Sequence, residues 1–74
     1  MSKKPKQYHV EWRNHEGQWF TLNGSSGTRQ YCEGWVAALD SAYPCDPLRI
    51  IAEYNDHSIE IVKETIGRAR PHTN

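Results

Sequence analysis

The chain has 74 residues, with nine Lys and Arg against nine Asp and Glu, so its net charge at pH 7 is zero. A chain of this length buries only roughly 60% of its unfolded surface, which limits it to one small domain and leaves little depth for a catalytic cleft. Its longest apolar run, Trp35 to Leu39, is too short to span a bilayer.

The neutral total hides an arrangement. Residues 1–6 hold Lys3, Lys4 and Lys6, residues 68–74 hold Arg68 and Arg70, and neither stretch contains an acid. Residues 7–67 hold four basic and nine acidic side chains, a net of −5. Basic tails on an acidic body do not make the broad positive face that duplex DNA requires. The tails read as flexible and solubilising. Three regions are therefore expected: a basic tail at 1–6, a folded body at 7–67 and a polar tail at 68–74. The opening MSKKPKQ has lysines but no apolar stretch of a secretory signal, which implies a cytoplasmic protein.

In chain order, Gln7 to Arg13 alternates, with Tyr8, Val10 and Trp12 on one side and His9, Glu11 and Arg13 on the other. That is a half-buried strand. Asn14 to Gly17 reads as a turn, and Gly17 is free to take positive φ. Gln18 to Leu22 returns as a second strand. Trp19 and Phe20 are adjacent there, so one of them must lie on the face away from the core.

Asn23 to Gly27 is a strong loop signal. From Gln30 to Tyr43 the period changes. Cys32, Trp35, Val36, Leu39 and Tyr43 recur at i, i+3, i+4, i+7 and i+11, one face of an amphipathic helix. Thr28 or Ser26 can cap its start, and Pro44 stops it. Gly34 costs that helix about 1 kcal/mol relative to Ala and suggests a close approach to the sheet. Cys32 and Cys45 bracket the helix, about 20 Å apart at 1.5 Å per residue. A disulfide requires Cα atoms within about 7 Å, so two free thiols are expected.

Leu48 to Tyr54 alternates again, with Leu48, Ile50, Ala52 and Tyr54 opposite Arg49, Ile51 and Glu53. Asn55 to His57 is a tight turn. Ser58 to Ile66 is the last strand, with Ile59 and Ile61 expected inward and Glu60, Val62 and Glu64 outward. The expected fold class is α+β: a single small domain in ββαββ order, with an antiparallel sheet and one helix packed on one face. The expected core is Tyr8, Val10, Trp12, Cys32, Trp35, Val36, Leu39, Leu48, Ile50, Ala52, Ile59 and Ile61. The far face would carry Ile51, Val62 and one aromatic among charges. An apolar centre with a polar rim is the anatomy of a binding surface, although scattered surface hydrophobes give the same composition.

No catalytic arrangement stands out. His9, His15, His57 and His72 lack ligand spacing, and no Cys pair suits zinc. Cys45, Asp46 and His57 fall in two loops at one end of the expected fold, but nothing orients them toward one another. Glu60 and Glu64 share a strand face, as a solvated edge does. Gly24 to Gly27 precedes a helix but lacks the lysine of a phosphate-binding loop. The expectation is a protein with no catalytic residues, no metal and no cofactor, not an enzyme.

The size, the acidic two-hairpin body around one helix, the short basic tails and the opening MSKKPKQYHVEWRN resemble the host-takeover proteins of bacteriophages that bind bacterial RNA polymerase, in particular the small transcription regulators of Xanthomonas phages. The resemblance implies a host-cytoplasmic protein that binds the N-terminal part of the polymerase β′ subunit, inhibits transcription initiation and promotes antitermination; a monomer is expected. It carries over no functional residue by motif. The patterning itself selects Lys3, Lys4, Tyr8, His9, Arg13, Phe20, Ile51 and Val62 as partner-binding residues, on the first strand, its preceding tail and the open sheet face. Apolar anchors there would supply affinity and charges would set register; adding an edge strand to the partner is an alternative within the same class. The pattern HVEWRNHEGQWF followed by EGWVAAL is also similar to the arm-binding domains of phage-type integrases, which would imply a nucleic-acid partner. Against that, Glu11, Glu53 and Glu60 are expected on the reading face, where they would repel phosphate.

Overall fold

The computed structural model describes residues 4–65. Within them the chain forms β1 (Gln7–Arg13), β2 (Trp19–Thr21), α1 (Arg29–Ala42), β3 (Leu48–Glu53) and β4 (Ile59–Thr65). The expected α+β class and ββαββ order are what the structure has. The four strands make one antiparallel sheet in the order β2-β1-β3-β4, so the two hairpins join through their first strands. Expected features at residues 1–3 and 66–74, Lys3 among them, lie outside the described residues.

Local chemistry sets each corner. Gly17 takes φ +86° in the first turn, and the Asn14 side-chain oxygen accepts from the Glu16 and Gln18 amides. In the second hairpin His57 carries the positive φ, at +69°, while the Asp56 carboxylate accepts from the Ser58 amide and hydroxyl. Thr28 is the residue that caps α1, its hydroxyl accepting from the Tyr31 amide at 3.1 Å. The loop before the helix runs along β1. Tyr8 and Gly27 exchange two backbone hydrogen bonds of 2.8 Å. Ser25 is fully buried; its hydroxyl accepts from the Val10 amide and donates to the Leu22 carbonyl.

α1 packs over the two central strands, β1 and β3. Beneath it Val10, Cys32, Val36, Leu48 and Ile50 form the buried cluster, with Tyr8, Trp12, Leu22, Trp35, Leu39 and Val62 packed around it. Burial pushes the Cys32 thiol up, as it does for a buried cysteine that packs as a small hydrophobe. Cys32 and Cys45 are both free.

The last strand departs from the expected facing. Ile59 pairs with Glu53 and Ile61 with Ile51, so both isoleucines share the far face of the sheet with those partners. Ile59 is 61% exposed. Glu60 pairs with Ala52 and therefore lies on the helix side. A register shift then leaves Val62 without a partner between Ile61 and Lys63. This is a β-bulge, an extra residue that resets the alternation. Val62 is half-buried against the core, and Lys63 reaches Glu33 of α1 at 3.2 Å. Glu60 and Glu64 consequently face opposite ways rather than together. Gly34 also corrects its expectation: it is exposed, with open space where a Cβ would be, so it permits no close approach to the sheet.

Candidate partner-binding surfaces

The face of the sheet away from α1 is arranged in cross-strand rows. Gln7, Glu53 and Ile59 make one row, and His9, Ile51 and Ile61 the next. Thr21, Glu11, Arg49 and Glu64 follow, then Trp19 beside Arg13. Directly opposed side chains on one face lie within reach of each other, so these rows are the units of interaction.

The polar members link into a ladder. Arg49 lies over the Trp19 ring, 4.1 Å from its centroid, and its Nε donates to Glu11 Oε1 at 2.7 Å. His9 sits between two carboxylates, with Nε2 2.8 Å from Glu11 Oε2 and Nδ1 2.6 Å from Glu53 Oε2. Both contacts are hydrogen bonds at once only when both ring nitrogens carry protons. Gln7 Nε2 donates to Glu53 from the far end, at 3.3 Å. Burial alone would push the Glu11 carboxyl up, but the hydrogen bonds from His9 and Arg49 outweigh it and hold the group below its ordinary 4.5. The Glu53 carboxyl is likewise held down: burial opposes, and the hydrogen bonds from His9 and Gln7 prevail, helped by the charge of Lys6.

This ladder closes over the centre of the face. Ile51 is 0% exposed although no helix covers it, and His9 is 8% exposed. The expected open apolar centre is therefore a packed second layer one side chain deep. Two of the residues selected from the sequence lie elsewhere. Phe20 pairs with Trp12 and stands on the helix side, its ring 5.7 Å from that of Trp12, while Trp19 is the aromatic on the far face. Val62 is on the helix side for the reason given by the bulge. Tyr8 is half-buried under the helix, and Lys4 and Arg13 are exposed. The structure does not bring these residues into one surface.

A different surface does form, on the flank of α1 toward β2. β2 has only three residues, and α1 does not reach over it. The helix side chains on that flank are left half-covered. Tyr31 and Tyr43 are exposed, Tyr43 at 59%, and Phe20 is exposed beside Trp12. Tyr31 donates its hydroxyl to the Gly24 carbonyl at 2.8 Å and meets Trp35 edge-on at 6.4 Å. Tyr31, Gly34, Trp35, Ala38 and Leu39 line a shallow hollow on the helix. Leu39 also lines a deeper cavity of about 210 Å³ with Trp12, Leu22, Tyr43, Asp46 and Leu48. The two hollows are neighbours and share Leu39 as a wall. The signal for this flank was present in the sequence as Tyr43, the last member of the helical stripe, which a short second strand cannot cover.

Among the described residues no three His, Cys, Asp or Glu side chains are placed to hold a metal ion. None of the described helices is long and apolar enough to cross a membrane. No family model matches the sequence, and neither a curated protein nor a solved structure is significantly similar to it.

Proposed function

We propose that this protein is a small non-enzymatic regulator that works by binding another protein, and that its anchoring surface is the aromatic flank of α1. One observation carries the reading: exposed Tyr31 and Tyr43 line two neighbouring apolar hollows that share Leu39, and exposed Phe20 packs against Trp12 in the wall of one of them. Large aromatic side chains clustered at a concave site, with polar surface around them, are the usual carriers of binding energy. Tyr31 is already held by its hydrogen bond to Gly24, so little side-chain entropy is lost on docking.

The resemblance of the opening stretch to phage host-takeover proteins supplies the partner: bacterial RNA polymerase, through the N-terminal part of its β′ subunit, in the host cytoplasm. Binding would inhibit initiation and promote antitermination by occluding or rearranging polymerase surfaces. A nucleic-acid partner fits less well. The far face carries Glu11, Glu53 and Glu64, and Arg49 is committed to Glu11 and Trp19. Those carboxylates repel a phosphate track.

The test is capture of RNA polymerase by the intact protein at about 0.3 M salt, where exposed charge contacts are largely screened. Capture that is lost on Phe20→Ser or Tyr31→Ser supports the reading and its site. Absence of polymerase, with steeply salt-dependent retention on DNA, would sink it in favour of the integrase-like alternative.

A further inference from the structure

The cavity at the C-terminal end of α1 has a size and a charge that specify what enters it. At about 210 Å³ it is smaller than the roughly 300–1,000 Å³ of sites for cofactors and drug-sized molecules. It is somewhat larger than a cavity of about 150 Å³, which accepts one benzene ring. One aromatic ring or branched aliphatic side chain fills it. Its walls are Trp12, Leu22, Leu39, Tyr43 and Leu48, so the interior rewards an apolar group.

Among the described residues of its lining Asp46 is the one charged side chain. The cavity lies against the end of α1, where the last carbonyls carry about half a negative charge. The last turn of α1 has no basic residue to offset them. An anion beside the entering group is therefore disfavoured and a cation favoured.

We propose that this cavity is an anchor pocket for a single apolar side chain of a protein partner, flanked in that partner by a Lys or Arg that meets Asp46 and the helix end. This rests on the protein-binding reading and adds the chemistry of the partner segment. A second copy of the chain, the other occupant to consider, is distinguished by dilution.

The probes are phenethylamine, protonated at pH 7, and phenylacetate, which present one ring with opposite charges. Each is titrated into the full-length isotope-labelled protein and followed by amide and indole NMR shifts. The expected result is saturable shifts at Trp12, Leu22, Leu39, Tyr43 and Leu48, with phenethylamine binding roughly fivefold or more tightly, since one charge pair near a surface is worth about 1 kcal/mol or more. Asp46 is exposed, so Asp46→Asn leaves the core untouched; it should reduce that preference while ring binding persists. No shifts at these residues, or equal affinity for both probes, would overturn the proposal. So would movement of the same signals on dilution of the free protein, which places a second copy in the pocket. Purified RNA polymerase separates this failure from failure of the regulator reading. Polymerase binding unaffected by Asp46→Lys and Tyr43→Ala overturns the anchor pocket and leaves the regulator standing. Charge-selective probe binding without any polymerase binding supports the pocket and removes that partner.

Discussion

Ile50 and Ile51 are neighbours in β3, both fully buried, and they point to opposite faces of one sheet. Ile50 lies in the cluster under α1, where apolar side chains from two layers cover it. No helix or strand packs over Ile51. Its cross-strand neighbours are His9 and Ile61, and the ladder of Trp19, Arg49, Glu11, His9 and Glu53 spans the surface around it. One face is built by the hydrophobic packing of elements, the other by long polar side chains lying flat over apolar ones. A sheet face without a helix is thus not the same as an exposed face. A surface is left over for a partner where α1 stops short of β2.

The largest effect to test is the equivalence of the two isoleucines. Ile50→Ala and Ile51→Ala should each cost about 2–5 kcal/mol in urea unfolding, the range for deleting a buried aliphatic side chain. A cost below about 1 kcal/mol for Ile51→Ala would show that the ladder does not pack its centre. For the same reason Ile51 is a poor position at which to probe binding, because a charge placed there reports on folding.

The ladder itself comes next. His9→Ala leaves Glu11 and Glu53 without their shared donor and should cost about 1–3 kcal/mol. The pH dependence has a definite sign. Both carboxyls are held below their ordinary 4.5 in the folded state, so their contribution is fully present above that value. It is lost as pH falls from there through the lowered folded-state values. Unfolding midpoints between pH 6 and pH 2 should therefore fall on the acid side, and His9→Ala should flatten that limb. An unchanged acid limb in the variant would remove the ladder as its cause.

The smallest effect is the most useful control. Ile61→Ser on the exposed edge should change stability by no more than about 1 kcal/mol and leave partner binding intact. Loss of binding in that variant would move the site from the helix flank to the β4 edge.

Some of this was legible in the sequence because it depends on neighbours in the chain. The period of Cys32, Val36 and Leu39, the turn chemistry of Asn14 to Gly17 and the stop at Pro44 are local, and the structure has a helix and a turn at those places. Alternation likewise grouped Tyr8, Val10 and Trp12 together, and Leu48, Ile50 and Ala52 together. The ladder was less visible, because His9, Glu11, Arg49 and Glu53 become a unit only when β1 pairs with β3 in one register. No spacing along the chain marks Trp19 as the platform for Arg49.

Sequence periodicity settles the set of elements and the face groupings of β1 and β3, since periods of 3.6 and 2 are properties of a short segment, whereas in β4 the bulge breaks the alternation. What only the tertiary structure decided is which face meets the helix, and where a surface remains uncovered. In β4 the pairing of Ile59 with Glu53 sends both isoleucines away from α1, and the bulge at Val62 then puts Lys63 and Thr65 on the helix side and Glu64 on the far face. Alternation alone is indifferent to that choice. The strand order sets it, by placing β1 and β3 under the helix and leaving β2 and β4 as edges.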